Sequence, residues 1–235
     1  NKKKEACNEC GIKSILIKLD SSITEDNLIL IIDNLNEDNT VNGILVQLPL
    51  PQHINKFNIL NKINPLKDVD CFSPENIGLL IQGNPRFVPC TPDAIITFLN
   101  FHKIPIIGKH VVIINNTLVI GKPLSILLSS QDATVTMCND KTENIKAISK
   151  SADIIVTAVG KRPHFVLTKE FCKENVTIID VGINRIDKAV LGDVDIESVK
   201  EVAGLVSSVP SGIGLLTVCS LLKNTLKAFH NEDCV

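Results

Sequence analysis

Gly-Ile-Leu-Val-Gln-Leu-Pro-Leu-Pro occupies residues 43–51, and Lys-Asp-Val-Asp follows at residues 67–70. Residues 43–48 are apolar or glycine at five of six positions, and the prolines behind them predict a buried strand with a sharp end. Gln47 interrupts this run, and a buried amide at a strand end needs hydrogen-bond partners. Strand ends and loops such as the one that carries the two aspartates are common places for functional sites. The structural alternative is that Gln47 caps the strand and one of the aspartates begins a turn.

The chain around this stretch alternates between strand and helix patterns. Residues 2–10 have helix-forming composition and end before Gly11, a residue type that favours a helix C-terminus. Residues 14–19 predict a short strand, and a capping-box pattern at residues 22–25 begins an amphipathic helix. A short helix is predicted over residues 54–63. The order indicates a βαβ unit. The apolar side of the amphipathic helix consists of Leu28, Ile31, Ile32 and Leu35.

A second βα series follows a break at Pro105 and Gly108, and we place a domain boundary near this break. The helix before the break begins at Thr91-Pro92, and another helix begins at Gly121 with proline in its first turn. Strands that end in glycine-bearing loops one after another predict a parallel, doubly wound sheet, which binds its ligands outside the carboxyl ends of the strands. The predicted strands are residues 111–114, 133–137, 154–159 and 176–181. The last predicted helix is residues 212–230, and its apolar side is expected to consist of Leu216, Leu221, Leu222 and Leu226.

Composition limits the classes of function. The 235 residues are 44% hydrophobic with a formal net charge of -2 and no Trp or Tyr, so we expect a globular protein without a nucleic-acid partner. No apolar run reaches the roughly 18 residues of a membrane span, so we expect no membrane partner. The chain opens without Met, so we expect a truncated start. We expect a cytoplasmic protein, with an organelle left open.

The eight cysteines indicate a reducing compartment. They are scattered, and the Cys7-x-x-Cys10 pair has no second pair or histidine cluster at zinc spacing. We therefore expect reduced thiols and no metal site, with a redox or metal role for the pair as the alternative.

Residues 115–123 form a candidate dinucleotide loop, because they connect a strand to a helix that begins at Gly121. One glycine is weak evidence by itself, and a plain strand-helix turn is the alternative. Asn is the residue other than glycine that most readily adopts positive φ, so we expect Asn115 to preserve the turn while its side chain crowds the pyrophosphate. Asp140 follows the second strand, where a carboxylate accepts a hydrogen bond from a ribose 2′-OH and repels a 2′-phosphate. It favours NAD over NADP, unless it is a solvated loop acid.

Ordered motifs along almost the whole chain resemble those of the bifunctional methylenetetrahydrofolate dehydrogenase/methenyltetrahydrofolate cyclohydrolase family. This resemblance implies a two-domain α/β fold, with a βαβ folate domain completed by the C-terminal helix (residues 1–94 with 212–235) and a Rossmann domain (residues 95–211). It also implies tetrahydrofolate derivatives as substrates, NAD or NADP as cofactor, and a homodimer. The motifs are ILVQLPLP (44–51), KDVD (67–70), PCTP (89–92), IGKP (120–123), AVGK (158–161), IDVGIN (179–184), GDV (192–194) and VPSGIGLLT (209–217).

The resemblance also implies roles for individual residues. The catalytic lysine of the family falls at Lys3, the strand glutamine at Gln47 and the pterin-binding aspartate at Asp70. Outside the resemblance, Lys3 is one of three consecutive lysines and is typical of a solvated helix start. Implied substrate contacts are Leu48, Gly214 and Leu215, and implied cofactor contacts are Asn116, Thr117, Gly121, Asp140, Ala158, Ile183 and Thr217.

The chain also departs from the family pattern, mostly around the cofactor. Asn115, Asn116 and Thr117 stand where relatives have Gly-Arg-Ser, and Asp140 stands where many have Ser. Cys71 and Ser211 replace glycines, which costs on the order of 1 kcal/mol each if those positions need positive φ. The family's tyrosine is missing, and Leu215 replaces a proline.

Three hypotheses follow. The first is the bifunctional enzyme, and the second is a monofunctional cyclohydrolase with a degenerate cofactor pocket. The third is a non-catalytic folate-binding relative, which a Lys3 that does not face Gln47 would favour.

Overall fold

The computed structural model describes residues 2–187 and 189–230, which divide into two compact units. Of the described residues, the first contains 2–90 and 218–230, and the second contains 91–187 and 189–217. The domain limits expected from the sequence stay a prediction. Within the described ranges, no helix is long and apolar enough to cross a bilayer.

The second unit is built on a five-stranded parallel sheet in the order β2-β1-β3-β4-β7, which confirms the doubly wound prediction. Its strands are β1 (His110–Ile114), β2 (Thr134–Cys138), β3 (Ile154–Thr157), β4 (Val176–Asp180) and β7 (Ala203–Val206). A separate antiparallel pair consists of β5 (Asn184–Ile186) and β6 (Ala189–Leu191). All five residues of β4 are buried, as expected for a strand covered on both faces.

Alternation along the central strands assigns the core to two layers. Val111 and Ile113 of β1 pack in one layer, with residues of α5 (Cys90–Phe101) and α6 (Gly121–Ser129). Val112 and Ile114 pack in the other, with residues near α7 (Ile145–Lys150), the 3-10 turn Lys169–Phe171 and α8 (Ile196–Val199). Because successive side chains of a strand point to opposite faces, one sequence run supplies both layers.

The first unit contains α1 (Lys2–Glu9), α2 (Glu25–Glu37), α3 (Lys56–Lys62) and α4 (Pro74–Ile81). The predicted end of α1 is confirmed: Gly11 has φ +72°, and the Ile12 N–H returns to the Cys7 carbonyl at 2.8 Å. The predicted cap of α2 is displaced by two residues. Thr24, not Ser22, accepts the Asn27 N–H, because the Ser22 hydroxyl is bonded to Asp20.

Both strands predicted in this unit are wrong as ladder strands. Residues 12–20 have no regular structure, and residues 43–48 pair only through a parallel bridge between Ile44 and Asp68 in the described part of the chain. An extended segment becomes a strand only when a neighbour accepts its backbone hydrogen bonds. Four apolar side chains of the first segment are accordingly 41–68% exposed: Ile15, Leu16, Ile17 and Leu19.

The last helix, α9 (Ile213–Phe229), confirms the predicted C-terminal helix but not its buried side. Leu226 is 52% exposed, and the buried positions include Ser220, Leu221, Asn224 and Ala228. The leucines alone therefore misplace the packed face, because part of that face is polar.

The seven cysteines in the described ranges are free, and no group of three or more His, Cys, Asp or Glu residues there has metal-binding geometry. Cys234 lies outside the described residues.

Candidate active site

Lys3 and Gln47 are brought together from α1 and from the end of the 43–48 segment. The Lys3 Nζ donates to Gln47 Oε1 at 3.3 Å, and Gln47 Nε2 donates to the Leu48 carbonyl at 2.9 Å. Gln47 is exposed, not buried as the sequence indicated, because its segment has a single bridge rather than a ladder. Both ends of its amide are nevertheless bonded, so the carbonyl oxygen is held toward the amine. Leu48 is half-buried beside this pair.

Asp70 lies in the same unit, close enough to Lys3 for their charges to interact. Burial raises the pKa of Asp70, while the Lys3 charge and a hydrogen bond from the Cys90 thiol act against this rise. Burial and the Asp70 charge likewise raise the pKa of the Cys90 thiol, which stays protonated at neutral pH. The group thus contains an amine, an amide and a carboxylate.

The side chains of Asp68 and Lys67 bond to neighbouring parts of the protein, in agreement with the alternative that an aspartate of this loop has a structural role. The Asp68 carboxylate is buried and accepts the Ser73 N–H at 2.7 Å and the Asn76 amide at 3.0 Å. Lys67 Nζ donates to carbonyls at the end of α2, including that of Asn36 at 2.7 Å.

The loop from β1 to α6 is organised by the Asn115 side chain. Its Oδ1 accepts from the N–H groups of Thr117 at 2.9 Å and Gly121 at 3.0 Å, and its Nδ2 donates to the Ala158 carbonyl at 2.7 Å. Asn115 does not have positive φ, so the expected replacement of a glycine by backbone conformation is wrong. The side chain holds the turn instead, and its oxygen accepts the Gly121 N–H at the start of α6, the kind of position where phosphates bind in dinucleotide sites.

The remaining candidate residues lie as follows. Asn116 and Thr117 are exposed, and Asp140 is exposed with its carboxylate 3.7 Å from Lys141 Nζ. Cys71 has φ +62° and Ser211 has φ +80°, so both residues adopt the positive φ that favours glycine. The others are half-buried Ala158 and Thr217, exposed Gly214, and Ile183 and Leu215, which are 63% and 49% exposed.

Two family models match the chain. Residues 1–70 match the catalytic domain of tetrahydrofolate dehydrogenase/cyclohydrolase, and residues 89–233 match its NAD(P)-binding domain. The chain belongs to the tetrahydrofolate dehydrogenase/cyclohydrolase family.

Members of this family are similar to the chain over nearly its whole length. The bifunctional protein FolD of Bacillus cytotoxicus is 48% identical over 227 residues, which are 96% of this chain and 79% of that protein. The FolD crystal structure from Campylobacter jejuni is 41% identical with a TM-score of 0.92, covering 98% of this chain and 82% of that one. The Trypanosoma brucei enzyme, solved with NADP and an inhibitor, is 36% identical with a TM-score of 0.91, covering 97% and 80%.

The expected fold class and enzyme class are thereby confirmed. The chain is a methylenetetrahydrofolate dehydrogenase and methenyltetrahydrofolate cyclohydrolase of one-carbon folate metabolism that uses NAD or NADP. Two loops of its second unit, which the NAD(P)-binding family model covers, require glycine. At Gly121 a Cβ would lie 2.1 Å from the Asn115 carbonyl oxygen, and Gly160 has φ +62°, so both loops need glycine for close backbone approach.

Sequence reasoning missed the buried carboxylates that hold the loops after β3 and β4. Asp193 Oδ2 accepts from the Thr157 hydroxyl at 2.9 Å and the Val159 N–H at 2.7 Å. Its Oδ1 accepts from the Gly160 N–H at 2.9 Å and the Asn184 amide at 3.1 Å. Asp193 therefore fixes the loops of Ala158 and Ile183 together. The GDV motif contained this residue, but the motif does not indicate its partners.

Asp180 supports Asp193 from the end of β4. Burial raises the pKa of Asp180, and hydrogen bonds from the N–H groups of Asp193, Val194 and Gly182 oppose the rise. The two carboxylates thus lie in one buried network whose donors are mainly backbone amides.

Proposed function

We propose that Lys3, Gln47 and Asp70 carry the folate chemistry, with NAD preferred over NADP as hydride acceptor. The observation that supports this most is the 3.3 Å hydrogen bond between Lys3 Nζ and Gln47 Oε1, in the same unit as Asp70. It is the arrangement that the third hypothesis, a non-catalytic relative, would not require.

Lys3 is proposed as the base of the hydrolytic step. A protonated amine beside the cationic methenyl group is electrostatically disfavoured, so Lys3 loses its proton when the substrate is bound. Gln47 orients the amine through its bonded carbonyl oxygen, and the free base then accepts a proton from the attacking water. Leu48, Gly214 and Leu215 are proposed as substrate contacts.

Asp70 is proposed to bind the amino-pyrimidine edge of the pterin. An ionised carboxylate accepts two hydrogen bonds there, which fixes the ring and directs the one-carbon bridge. The Lys3 charge and the Cys90 thiol both favour the ionised form against burial. Before the cationic methenyl group is bound, Lys3 therefore has a second proposed role, that of keeping Asp70 charged.

The dinucleotide is proposed to bind the loops at the carboxyl ends of the parallel strands. When bound, it supplies the acceptor for the hydride of 5,10-methylenetetrahydrofolate. Asp140 is exposed beyond β2, where its carboxylate suits a ribose 2′-OH and repels a 2′-phosphate. Asn116 provides no positive charge for that phosphate. The other proposed contacts are Thr117, Gly121, Ala158, Ile183 and Thr217.

A monofunctional cyclohydrolase is the second candidate. It is favoured by the Asn115 oxygen, which occupies the Thr117 and Gly121 N–H groups. A dinucleotide phosphate must displace this side chain or bind without those two donors.

One set of assays separates the candidates. We expect full-length protein to reduce NAD faster than NADP with 5,10-methylenetetrahydrofolate, and to hydrolyse methenyltetrahydrofolate. Hydrolysis without reduction of either cofactor selects the monofunctional enzyme, and absence of both activities contradicts the proposal. Lys3→Met should lower hydrolysis by on the order of 10²–10⁴-fold, as for loss of a general base. Lys4→Met, at the exposed neighbouring lysine, is the matched control.

Cofactor preference is tested separately. Asp140→Ser combined with Asn116→Arg should shift preference toward NADP by about tenfold or more, since it removes a repulsion and adds a phosphate partner. Glu143→Ser removes an exposed acid from the same loop and should leave the preference unchanged. A wild-type preference for NADP contradicts the role of Asp140. The homodimer stays a prediction, which sedimentation tests.

A further inference from the structure

Asn224 of α9 joins two distant segments of the first unit through one amide group. The side chain is buried, and its Nδ2 donates to the Val69 carbonyl at 2.9 Å and to the Val88 carbonyl at 2.8 Å. The Cys90 Sγ lies 3.8 Å from the same nitrogen. An amide has two N–H groups, and here both are used on backbone carbonyls that lie beside the candidate folate site.

Both residues that flank Asp70 are tied to the segment 87–90. On one side, the Val69 carbonyl accepts from Asn224 and also from the Cys90 thiol at 3.5 Å. On the other side, the buried Cys71 thiol donates to the Phe87 carbonyl at 3.1 Å. The backbone of Asp70 is therefore fixed before and after its own Cα atom.

Fixing this backbone matters because the Asp70 side chain is short. A carboxylate one carbon away from Cβ has little freedom to correct a displaced main chain, and displacement of a binding group by about 1 Å can cost on the order of 100-fold in rate. Buried carbonyls without a donor also rearrange to find one, so loss of the amide would allow the Val69 peptide to rotate.

We propose that Asn224 is a positioning residue for the folate carboxylate: its amide holds the Val69 and Val88 carbonyls and thereby aims Asp70 at the pterin. The inference rests on the proposed role of Asp70. The Cys90 thiol assists, because it bonds the same carbonyl and lies against the carboxylate.

The test compares Asn224→Leu with Thr225→Val in full-length protein. Leu has the same branching and the same number of heavy atoms as Asn, and it has no donor. Thr225 is the next residue of the same helix, and its hydroxyl bonds only the helix's own Leu221 carbonyl at 2.8 Å among the contacts described for it. We expect Asn224→Leu to weaken tetrahydrofolate binding by about 10–100-fold in calorimetry, and to leave NADH affinity within twofold. Thr225→Val should leave both unchanged. Equal losses of both ligands, or unchanged folate binding, overturn the proposal.

A second pair of variants keeps the proposal testable if Asn224→Leu does not fold. Cys90→Ala removes the one S–H that the Val69 carbonyl and the Asp70 carboxylate share, and should weaken folate binding several-fold, whereas Cys90→Ser retains a donor and should restore most of it. Similar binding by the two variants counts against the inference. Asp70→Asn distinguishes failure of the proposed function from failure of this inference. If Asp70→Asn keeps full folate affinity, the proposed role of Asp70 is wrong. If Asp70→Asn loses folate affinity but the Asn224 and Cys90 variants do not, only the role of Asn224 is wrong.

Discussion

Asp193→Asn is the substitution whose cost follows most directly from the structure. The carboxylate accepts four hydrogen bonds, two on each oxygen, and Asn replaces one oxygen by an NH₂ group. The least costly orientation turns that NH₂ toward Thr157 and Val159, because the Thr157 hydroxyl can also accept. The Val159 N–H then has no acceptor, since an N–H cannot reverse its role.

The magnitude follows from three contributions. An orphaned buried N–H costs about 1–3 kcal/mol, and the loss of charge on the acceptor weakens the other three bonds by roughly 1 kcal/mol each. Removing one buried charge beside Asp180 returns about 2 kcal/mol, because less desolvation and repulsion remain. We expect a net loss of about 2–4 kcal/mol in the free energy of unfolding, and weaker NADH binding because two cofactor loops loosen.

Urea denaturation measures the stability, and NADH fluorescence measures the binding. Asp195→Asn is the matched control: Asp195 caps α8 by accepting the Ser198 N–H at 3.2 Å, and Asn is as good a cap as Asp. A loss of less than 1 kcal/mol relative to this control would refute the reasoning, as would a destabilised variant with wild-type NADH affinity.

Three further predictions concern the two sites and the sheet. Asn115→Gly should tighten NADH binding several-fold in a fluorescence titration, because it frees the Thr117 N–H in the loop and the Gly121 N–H at the helix start; weaker binding would mean that the turn itself was lost. Lys3→Met removes a charge that lowers the pKa of Asp70, so Asp70 should become protonated at a higher pH in this variant than in the wild type. Calorimetry should therefore show that the variant loses folate affinity at a higher pH as the solution is acidified. A hydrogen bond from Lys173 holds the pKa of Asp153 below its usual value. Asp153 therefore stabilises the folded protein above its unfolded-state pKa, and this stabilisation is lost as pH falls through its folded-state pKa. Thermal melts of Lys173→Met should show a smaller loss of stability on acidification.

Four of the five strands in the sheet of the second unit were predicted, because their signals are local, whereas β7 was missed. The central strands are short apolar runs bounded by polar turns, and burial on both faces makes those runs continuous. The predicted strand at residues 111–114 is present as His110–Ile114, and that at 176–181 as Val176–Asp180. The strands predicted at residues 14–19 and 43–48 have the same local signals. They fail because pairing depends on a neighbour, which no local pattern specifies.

The supports of both candidate sites were beyond sequence patterns for a related reason. Asp193 bonds groups 33 to 36 residues away, apart from its nearer contact with Asn184, and Asn224 bonds a carbonyl 155 residues away. Polar residues within apolar segments give no hint of which distant carbonyl or amide they meet. The family resemblance indicates the groups proposed to react, such as Lys3 and Gln47, but it does not indicate the residues that hold them.

The departures from the family pattern fall into two physical kinds. Cys71 and Ser211 keep a left-handed backbone and accept strain on the order of 1 kcal/mol, so their cost falls on stability. Asn115, in contrast, does not have positive φ, and its side-chain oxygen accepts hydrogen bonds from N–H groups that a phosphate would otherwise bind. Its cost therefore falls on ligand binding. A chain that keeps Lys3, Gln47 and Asp70 together while its dinucleotide loop is closed on itself is expected to lose reduction of NAD before it loses hydrolysis.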